Sequence, residues 1–273
     1  MSRTGWIIAT TAAAYWPAWI WYGGRMVQFS EQRVGLAALA IALAMAVRDH
    51  RQPGKAAEPD RERRVLWAVG GWTALYALTF PFVPALVRNA FALGSIAVLI
   101  PICGGPRRAS AGVWALLLLA TPAIPSLQFY CGFPLRLVAA WIAEQALAVT
   151  PLEVERVGVS LRLGERIVLV DAPCSGVRML WSILLVAASI AAWLRLPPLQ
   201  TALLGAASVA GVVLANAVRT TALFFPEAGL VSLPSWGHSA IGVITFTAAA
   251  AFLVTLSHRI FGGRRWQRVS FGL

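Results

Sequence analysis

Apolar residues occur along this chain in long runs, which short polar or basic breaks separate. Each run is close to the ~20 residues that an α-helix needs to cross the hydrocarbon core of a bilayer. The pattern therefore predicts an all-α integral membrane protein with about eight transmembrane helices. The predicted spans are residues 6–22, 34–48, 65–82, 85–103, 111–128, 175–194, 199–225 and 238–257.

Two smaller elements are predicted in the one long break, residues 129–173, which precedes the sixth span. Apolar positions recur at helical spacing over 134–149, but charged and polar residues interrupt them, so we expect an amphipathic interfacial helix there. Residues 152–170 alternate apolar and polar side chains, and Gly158 and Gly164 punctuate the alternation. This alternation predicts a small extracytoplasmic β-hairpin.

The composition favours a membrane protein over a soluble one. The chain has 273 residues, of which 59% are hydrophobic and 12% charged, and its mean hydropathy is +0.71. A soluble domain carries about 25% charged residues, so a soluble protein with an exceptional core is the less favoured alternative. We expect residues 1–273 to form a single transmembrane helical domain. The first apolar run has no small-residue cleavage site, which indicates a retained span rather than a signal peptide.

The placement of the basic residues predicts the orientation. The net charge of +12 is compatible with a nucleic-acid partner or with a membrane surface. The strongest basic clusters, 48–64 and 259–268, flank apolar runs and contain no nucleic-acid-binding motif, so we expect membrane lipids and no nucleic acid as partners. With both termini cytoplasmic, more than half of the 23 Lys and Arg residues lie in inside segments, as the positive-inside rule requires. The predicted location is the plasma (inner) membrane, crossed several times.

Three short stretches place reactive or charged side chains at the ends of predicted spans. Cys174 opens the sixth span, Asn216 and Arg219 lie in the seventh, and His238 opens the eighth. The orientation that the basic residues predict brings all of them to the same depth on the extracytoplasmic side. An ionisable side chain is costly inside a membrane, so such positions are candidates for a functional site.

Cys174 is the candidate nucleophile. A helix N-terminus and nearby cations stabilise a thiolate; Pro173 suits the start of a helix, and Arg178 lies four residues after the cysteine on the same helical face. A buried and inert membrane cysteine is the alternative. Cys131 is also predicted on the extracytoplasmic side, but no spacing supports a disulfide between it and Cys174. Cys103 is predicted at the inner face of the membrane.

The roles of the charged residues stay open at this level. Arg219 shares a helical face with Asn216 and is either a fixed cation for an oxyanion or thiolate, or a structural partner of Asp171, Glu227 or backbone carbonyls. His238 is either a proton donor and acceptor or an interfacial histidine. Asp171 orients His238, pairs with an arginine, or serves simply as an anion at a helix start, and we rank the last first.

Taken together, the three stretches resemble the exosortase/archaeosortase family of integral-membrane cysteine enzymes. The family pattern is a Cys-Ser-Gly-(aliphatic)-Arg block at a span start, Asn-x-x-Arg in the next span, and a histidine that opens the last. Here these are Cys174-Ser175-Gly176-Val177-Arg178, Asn216-Ala217-Val218-Arg219 and His238. The motifs place the catalytic core at about 150–257, and the Leu127-Gln128 pair and the predicted hairpin are also similar to the family.

The resemblance implies an enzyme: a cysteine endopeptidase or transpeptidase that cleaves C-terminal sorting signals of secreted, membrane-tethered proteins at the outer membrane face. It implies that Cys174 is the nucleophile, that Arg219 stabilises charge and that His238 is the acid and base. The supporting residues would be Arg178, Asn216 and Asp171. The implied partners are signal-bearing proteins and, if transfer follows cleavage, an acceptor nucleophile.

The sequence suggests no cofactor and no metal, because no ligand spacing and no phosphate-binding glycine loop occur in it. It has no coiled-coil or dimer motif, which favours a monomer. The alternative function is a polytopic transporter or lipid-binding membrane protein with a polar site in the outer leaflet. A transporter would show polar residues through the full depth of several spans, whereas here they crowd one leaflet, which favours chemistry at the surface.

Overall fold

The computed structural model describes four stretches of the chain, residues 3–50, 61–101, 109–170 and 175–261. Cys103, Asp171 and Cys174, which were named above, lie outside the described residues. Within these stretches the protein is mostly helical, as predicted, with one small antiparallel sheet. The chain divides into two compact units, Met1–Ala123 with Ala188–Thr201, and Ile124–Ala187 with Ala202–Leu273. That the whole chain is one transmembrane domain stays a prediction.

Helices form the first unit. They are α1 (Arg3–Ala14), α2 (Trp16–Gln28), a 3-10 turn (Ser30–Arg33), α3 (Val34–His50), α4 (Arg61–Thr79), α5 (Ala85–Leu99) and α6 (Ala111–Leu119). The predicted first span, 6–22, is interrupted at Tyr15, because Pro17 has no amide hydrogen and its ring clashes with the carbonyl four residues earlier. Tyr15 itself is buried at this break, with its ring centroid 4.5 Å from that of Tyr76.

A buried carboxylate in the first unit joins the end of α3 to the residues after helix α8 (Val177–Trp193). Asp49 is 5% exposed, and its Oδ1 lies 2.6 Å from Arg195 Nη2 and 3.1 Å from Arg48 Nη2. Arg48 Nη2 also donates to the carbonyl oxygens of Ala192 and Trp193, at 3.4 and 3.2 Å. The Ala192 carbonyl also accepts from the Arg195 N–H at 3.3 Å, so Arg48, which Asp49 holds in place, adds to the cap at the end of α8.

The second unit contains the remaining elements. They are α7 (Ile124–Leu147), the strands β1 (Val154–Val157), β2 (Ser160–Leu163) and β3 (Arg166–Leu169), most of α8, most of α9 (Pro198–Glu227), and α10 (Gly237–Phe261).

The helix break before the sheet lies earlier than the sequence predicted. A single span over 111–128 and a separate helix over 134–149 were expected, but α6 ends at Leu119 and α7 runs unbroken over 24 residues from Ile124. Pro125 occupies the first turn of α7, where its missing amide hydrogen has no helical partner to lose. Pro134 lies inside α7 without ending it.

Among the described residues, three helices are long and apolar enough to cross a membrane, namely Ser30–Asp49, α9 and α10. A fourth span is added if α6 and α7 together form one broken span. Helices α5 and α8 are apolar but have only 15 and 17 residues. These helices agree with the predicted membrane protein, whereas the count of eight spans stays a prediction.

The sheet is a three-stranded meander in the order β1-β2-β3, one strand more than the predicted hairpin. Gly158 and Gly164 have φ of +64° and +57°, and each takes the first position of a two-residue turn, which favours glycine. Both turns connect neighbouring antiparallel strands. Leu161 and Val168 pack against Phe224 of α9 in a buried cluster, so the meander is anchored to the end of that helix.

Candidate active site

The Ser-Gly-Val part of the cysteine motif forms the start of α8. Ser175 Oγ accepts a hydrogen bond from the Val177 N–H at 3.4 Å and donates one to Gln128 Oε1 of α7 at 2.9 Å. The Gly176 carbonyl accepts from the Leu180 N–H at 2.7 Å. Ser175 thus serves as a cap for the first turn of α8 and also connects that turn to α7.

Gly176 brings the cysteine motif into contact with the Asn-x-x-Arg motif. Its φ of +78° lies in the left-handed region that only glycine enters at low cost. A Cβ built on Gly176 would lie 2.9 Å from Cγ of Asn216, closer than real Cβ atoms approach. Asn216 is 3% exposed, so its amide packs directly on the glycine backbone inside the second unit. The sequence predicted both motifs but not this contact.

Arg219 lies one turn after Asn216 on α9 and reaches α10. A Cβ built on Gly242 would lie 3.6 Å from Arg219 Nε and 3.9 Å from its Cζ, so the side chain packs on bare backbone. Gly242 follows His238 by one helical turn, which is a rise of about 6 Å along α10. The structure therefore places Arg219 against α10 one turn from the predicted histidine.

Some buried polar atoms on this face of α9 have no hydrogen-bond partner among the residues that the structure describes. Arg219 Nε and Thr220 Oγ1 are among them. Thr221, the next residue, donates to the Ala217 carbonyl four residues back, as intrahelical hydroxyls commonly do. An unsatisfied buried donor costs about 1–3 kcal/mol, so these atoms are suited to a group that is absent from the described chain.

Thr220 lines a cavity of about 20 Å³ beside the sheet. This volume is close to the minimum that one water molecule requires. Val170, the last described residue before the segment that carries Cys174, also lines it, as does Glu227. The other lining residues are Leu161, Val168, Leu169, Leu223 and Phe224.

His238 lies beside Glu227. Their Nδ1 and Oε1 atoms are 3.7 Å apart, and both side chains are about half exposed. Glu227 ends α9, and Gly229, at φ +70°, closes that helix end as the Leu230 N–H donates to the Phe225 carbonyl at 2.9 Å. The 3.7 Å separation is within ion-pair range but exceeds the length of a hydrogen bond.

The structure brings together some of the predicted site residues. Asn216 and Arg219 share a face of α9, His238 opens α10, and Arg178 is exposed on the first turn of α8. The convergence of Cys174 with Arg219 and His238 involves a residue outside the described stretches and stays a prediction.

Sequence reasoning missed the partners of these residues. Glu227 was considered as a partner of Arg219, whereas the structure places it beside His238. Gln128 was named only as part of the resemblance to the family, yet its side-chain oxygen accepts a hydrogen bond from Ser175 Oγ. Thr220 could have been predicted from the sequence as a neighbour of the site. It lies four residues after Asn216 and therefore shares its helical face.

Comparison with known proteins identifies a family that the chain matches. The sequence model of the transmembrane exosortase family matches residues 27–255 of the chain. The matched range extends well upstream of the motifs, into the first unit, and contains every described residue of the candidate site. No curated protein and no solved structure matches the chain.

Proposed function

The chain belongs to the transmembrane exosortase family, and from that premise we propose that it is a membrane-embedded cysteine endopeptidase or transpeptidase. Its substrates are secreted, membrane-tethered proteins, which it cleaves at their C-terminal sorting signals. The contact between Gly176 and Asn216 carries the proposal, because it joins the cysteine motif to the helix that bears Arg219. Arg219 in turn packs on α10 close to His238.

The proposed reaction starts with the Cys174 thiol. His238 takes the thiol proton, and the thiolate attacks the carbonyl carbon of the scissile peptide bond. Arg219 stabilises the oxyanion that develops on the carbonyl oxygen. The bond to the leaving amine then breaks, His238 returns its proton to that amine, and a thioester joins Cys174 to the remaining chain. Water or an acceptor amine attacks the thioester and releases the thiol.

The supporting residues have positional roles in this proposal. Asn216 holds the start of α8 through Gly176, and Glu227 orients the His238 ring through Nδ1. Arg178, on the first turn of α8, adds positive charge that favours the thiolate. Asp171 precedes Cys174 by three residues and serves as an anion near the helix start.

The site is proposed to face the extracytoplasmic side of the plasma (inner) membrane, with both termini cytoplasmic. The clustering of basic residues at 48–64 and 259–268 supports this orientation. A substrate helix beside α8 to α10 would bring its signal to the site within the plane of the membrane. Such tethering raises the effective concentration of the scissile bond and restricts access to anchored substrates.

A processing assay with a matched cysteine control tests the proposal. The substrate is a reporter from the same cells that ends in a short motif, a transmembrane helix and a basic tail. We expect Cys174→Ala to abolish processing while the protein still accumulates in the membrane, and Cys131→Ala, which replaces a free thiol on α7, to process normally. Hydroxylamine should release a fragment from the wild-type thioester. Processing by Cys174→Ala at the normal rate would overturn the proposal.

A further inference from the structure

The turns of the meander determine which backbone groups point away from the sheet. In a two-residue hairpin, the residues that flank the turn exchange hydrogen bonds, and the pattern then alternates along the strands. Leu163 and Arg166 flank the second turn, so Ile167 and Leu169 point their N–H and C=O groups to the free side of β3. The bond from the Val170 N–H to the Val159 carbonyl, at 3.2 Å, fits this alternation.

The opposite edge of the sheet, on β1, is blocked. By the same alternation, the backbone N–H and C=O groups of Val154 and Arg156 point away from the sheet. The Arg156 N–H donates to Glu144 Oε1 at 3.0 Å, and its Nε donates to Glu144 Oε2 at 3.3 Å. The Val154 N–H donates to the Leu152 carbonyl at 3.1 Å. Both outward amides of β1 are therefore occupied, so this edge cannot accept another strand.

The edge on β3 is open. Among the described residues, no hydrogen bond reaches the outward groups of Ile167 or Leu169. Their side chains lie on one face of the strand and are 68% and 50% exposed. Folded proteins usually protect such an edge, because unpaired N–H and C=O groups in a row form a template for another strand. Among the described residues, the edge on β3 is therefore the one at which this sheet can accept a further strand.

The position of this edge identifies the partner. Strand β3 leads directly into residues 170–174, and the span from Leu169 to Cys174 is at most about 17 Å of extended chain. Leu169 also lines the cavity that contains the unpartnered Thr220 hydroxyl. A polypeptide laid along β3 would therefore lie within about 17 Å of chain from the proposed nucleophile.

We propose that the outer edge of β3 binds the substrate as an added β-strand. The segment that binds is the extended part of the signal-bearing protein next to its transmembrane helix. This inference rests on the proposed function and adds how the substrate is held: main-chain hydrogen bonds from Ile167 and Leu169 supply affinity for any extended sequence. Apolar side chains of the segment cover the exposed face of those two residues.

A pair of proline variants tests the edge. Ile167→Pro removes an N–H that points away from the sheet, so no hydrogen bond within the sheet is lost. Edge strands accept proline at such positions. Val154→Pro removes an outward N–H from the opposite edge together with its hydrogen bond to the Leu152 carbonyl, so this control costs the sheet at least as much local structure. We expect Ile167→Pro to lower kcat/KM for the reporter by about tenfold or more, and Val154→Pro to process at the wild-type rate. Equal rates for Ile167→Pro and wild type would overturn the inference.

Disulfide cross-linking gives an independent test that does not depend on the stability of a proline variant. The enzyme carries Leu169→Cys, and Cys174, Cys131 and Cys103 are replaced by alanine, so that bound reporter is not cleaved. Single cysteines are moved along the reporter segment. An added strand cross-links at every second position, since alternate side chains share a face. The inference would be contradicted if cross-links recurred at every third or fourth position of the reporter segment. It would also be contradicted if no cross-link formed, or if one formed only between two enzyme copies.

The two proposals fail in different ways. If Cys174→Ala abolishes processing but Ile167→Pro does not change it, the protein is the proposed enzyme and binds its substrate elsewhere. If Cys174→Ala does not affect processing, the proposed function itself is wrong.

Discussion

Gly176 and Asn216 touch although 39 residues lie between them in the chain: a Cβ on Gly176 would lie 2.9 Å from Cγ of Asn216. The glycine has a φ of +78°, so its backbone conformation and its surroundings both require a residue without a side chain. This contact ties the start of α8 to the middle of α9. It is the structural link between two of the motifs on which the sequence resemblance rests.

Gly176→Ala should destabilise the protein and reduce processing. A left-handed φ costs an L-residue about 1–2 kcal/mol, and displacement of Asn216 adds to that. We expect a lower temperature of aggregation in detergent and slower processing per folded molecule. Gly211→Ala on α9 is the control, because a Cβ there meets nothing within 4 Å and alanine favours a helix. If both variants behave alike, the contact with Asn216 has no energetic consequence.

Glu227→Gln should reduce processing moderately, because it removes the charge beside His238 Nδ1. Partly exposed ion pairs contribute about 0.2–1 kcal/mol, which corresponds to a decrease in kcat/KM of about 1.4- to 5-fold. We expect the effect to become smaller at high salt, which screens exposed charges.

A double-mutant cycle distinguishes this role of Glu227 from a structural one. In a His238→Ala background, Glu227→Gln should have no further effect on the residual rate, because the carboxylate acts through the imidazole. An equal loss in both backgrounds would mean that Glu227 supports the fold rather than the histidine. Glu227→Asp, which keeps the charge, should recover part of the rate.

Arg219→Lys should lower kcat strongly and change KM less. Lysine keeps the positive charge but loses the Nε–H that lies buried beside Gly242. Loss of one donor to a developing oxyanion lowers kcat by about 100- to 1000-fold. Arg259→Lys, on an exposed arginine in the last turn of α10, is the control and should process normally. A kcat for Arg219→Lys near the wild-type value would exclude this arginine from the chemistry.

Asp49→Asn should lower stability without an effect on the chemistry. The Asp49 carboxylate is buried and lies within hydrogen-bond distance of Arg48 and Arg195. Hydrogen bonds to charged groups contribute about 1.5–3 kcal/mol, so we expect a loss of this size in the free energy of unfolding. Processing per folded molecule should stay constant. Glu155→Gln, in the exposed pair with Arg162, should not measurably change the unfolding temperature.

Much of the architecture could be predicted because it depends on local information. The predicted spans 199–225 and 238–257 correspond to α9 (Pro198–Glu227) and α10 (Gly237–Phe261). An uninterrupted apolar run is enough to define such a helix, since only a helix satisfies its own backbone groups in hydrocarbon. The glycine-punctuated alternation of residues 152–170 likewise predicted strands, although one too few.

The break between α6 and α7 shows where local patterns stop being sufficient. Pro122, Pro125 and Pro134 all lie in this region, and the predicted break fell between the span 111–128 and the helix 134–149. In the structure α7 continues through Pro134. Whether a proline ends a helix depends on what else satisfies the freed carbonyl, which is decided by neighbours that a local pattern does not contain.

The sequence by itself determined the membrane class, the family motifs and the identities of the candidate residues Cys174, Arg219 and His238. Only the tertiary structure decided the neighbours: Asn216 lies against Gly176, Arg219 packs on Gly242, and Glu227 lies beside His238. The physical reason is the distance along the chain over which each kind of interaction acts. Hydropathy and turn chemistry act within a few residues, whereas these contacts depend on the packing of helices that are distant along the chain.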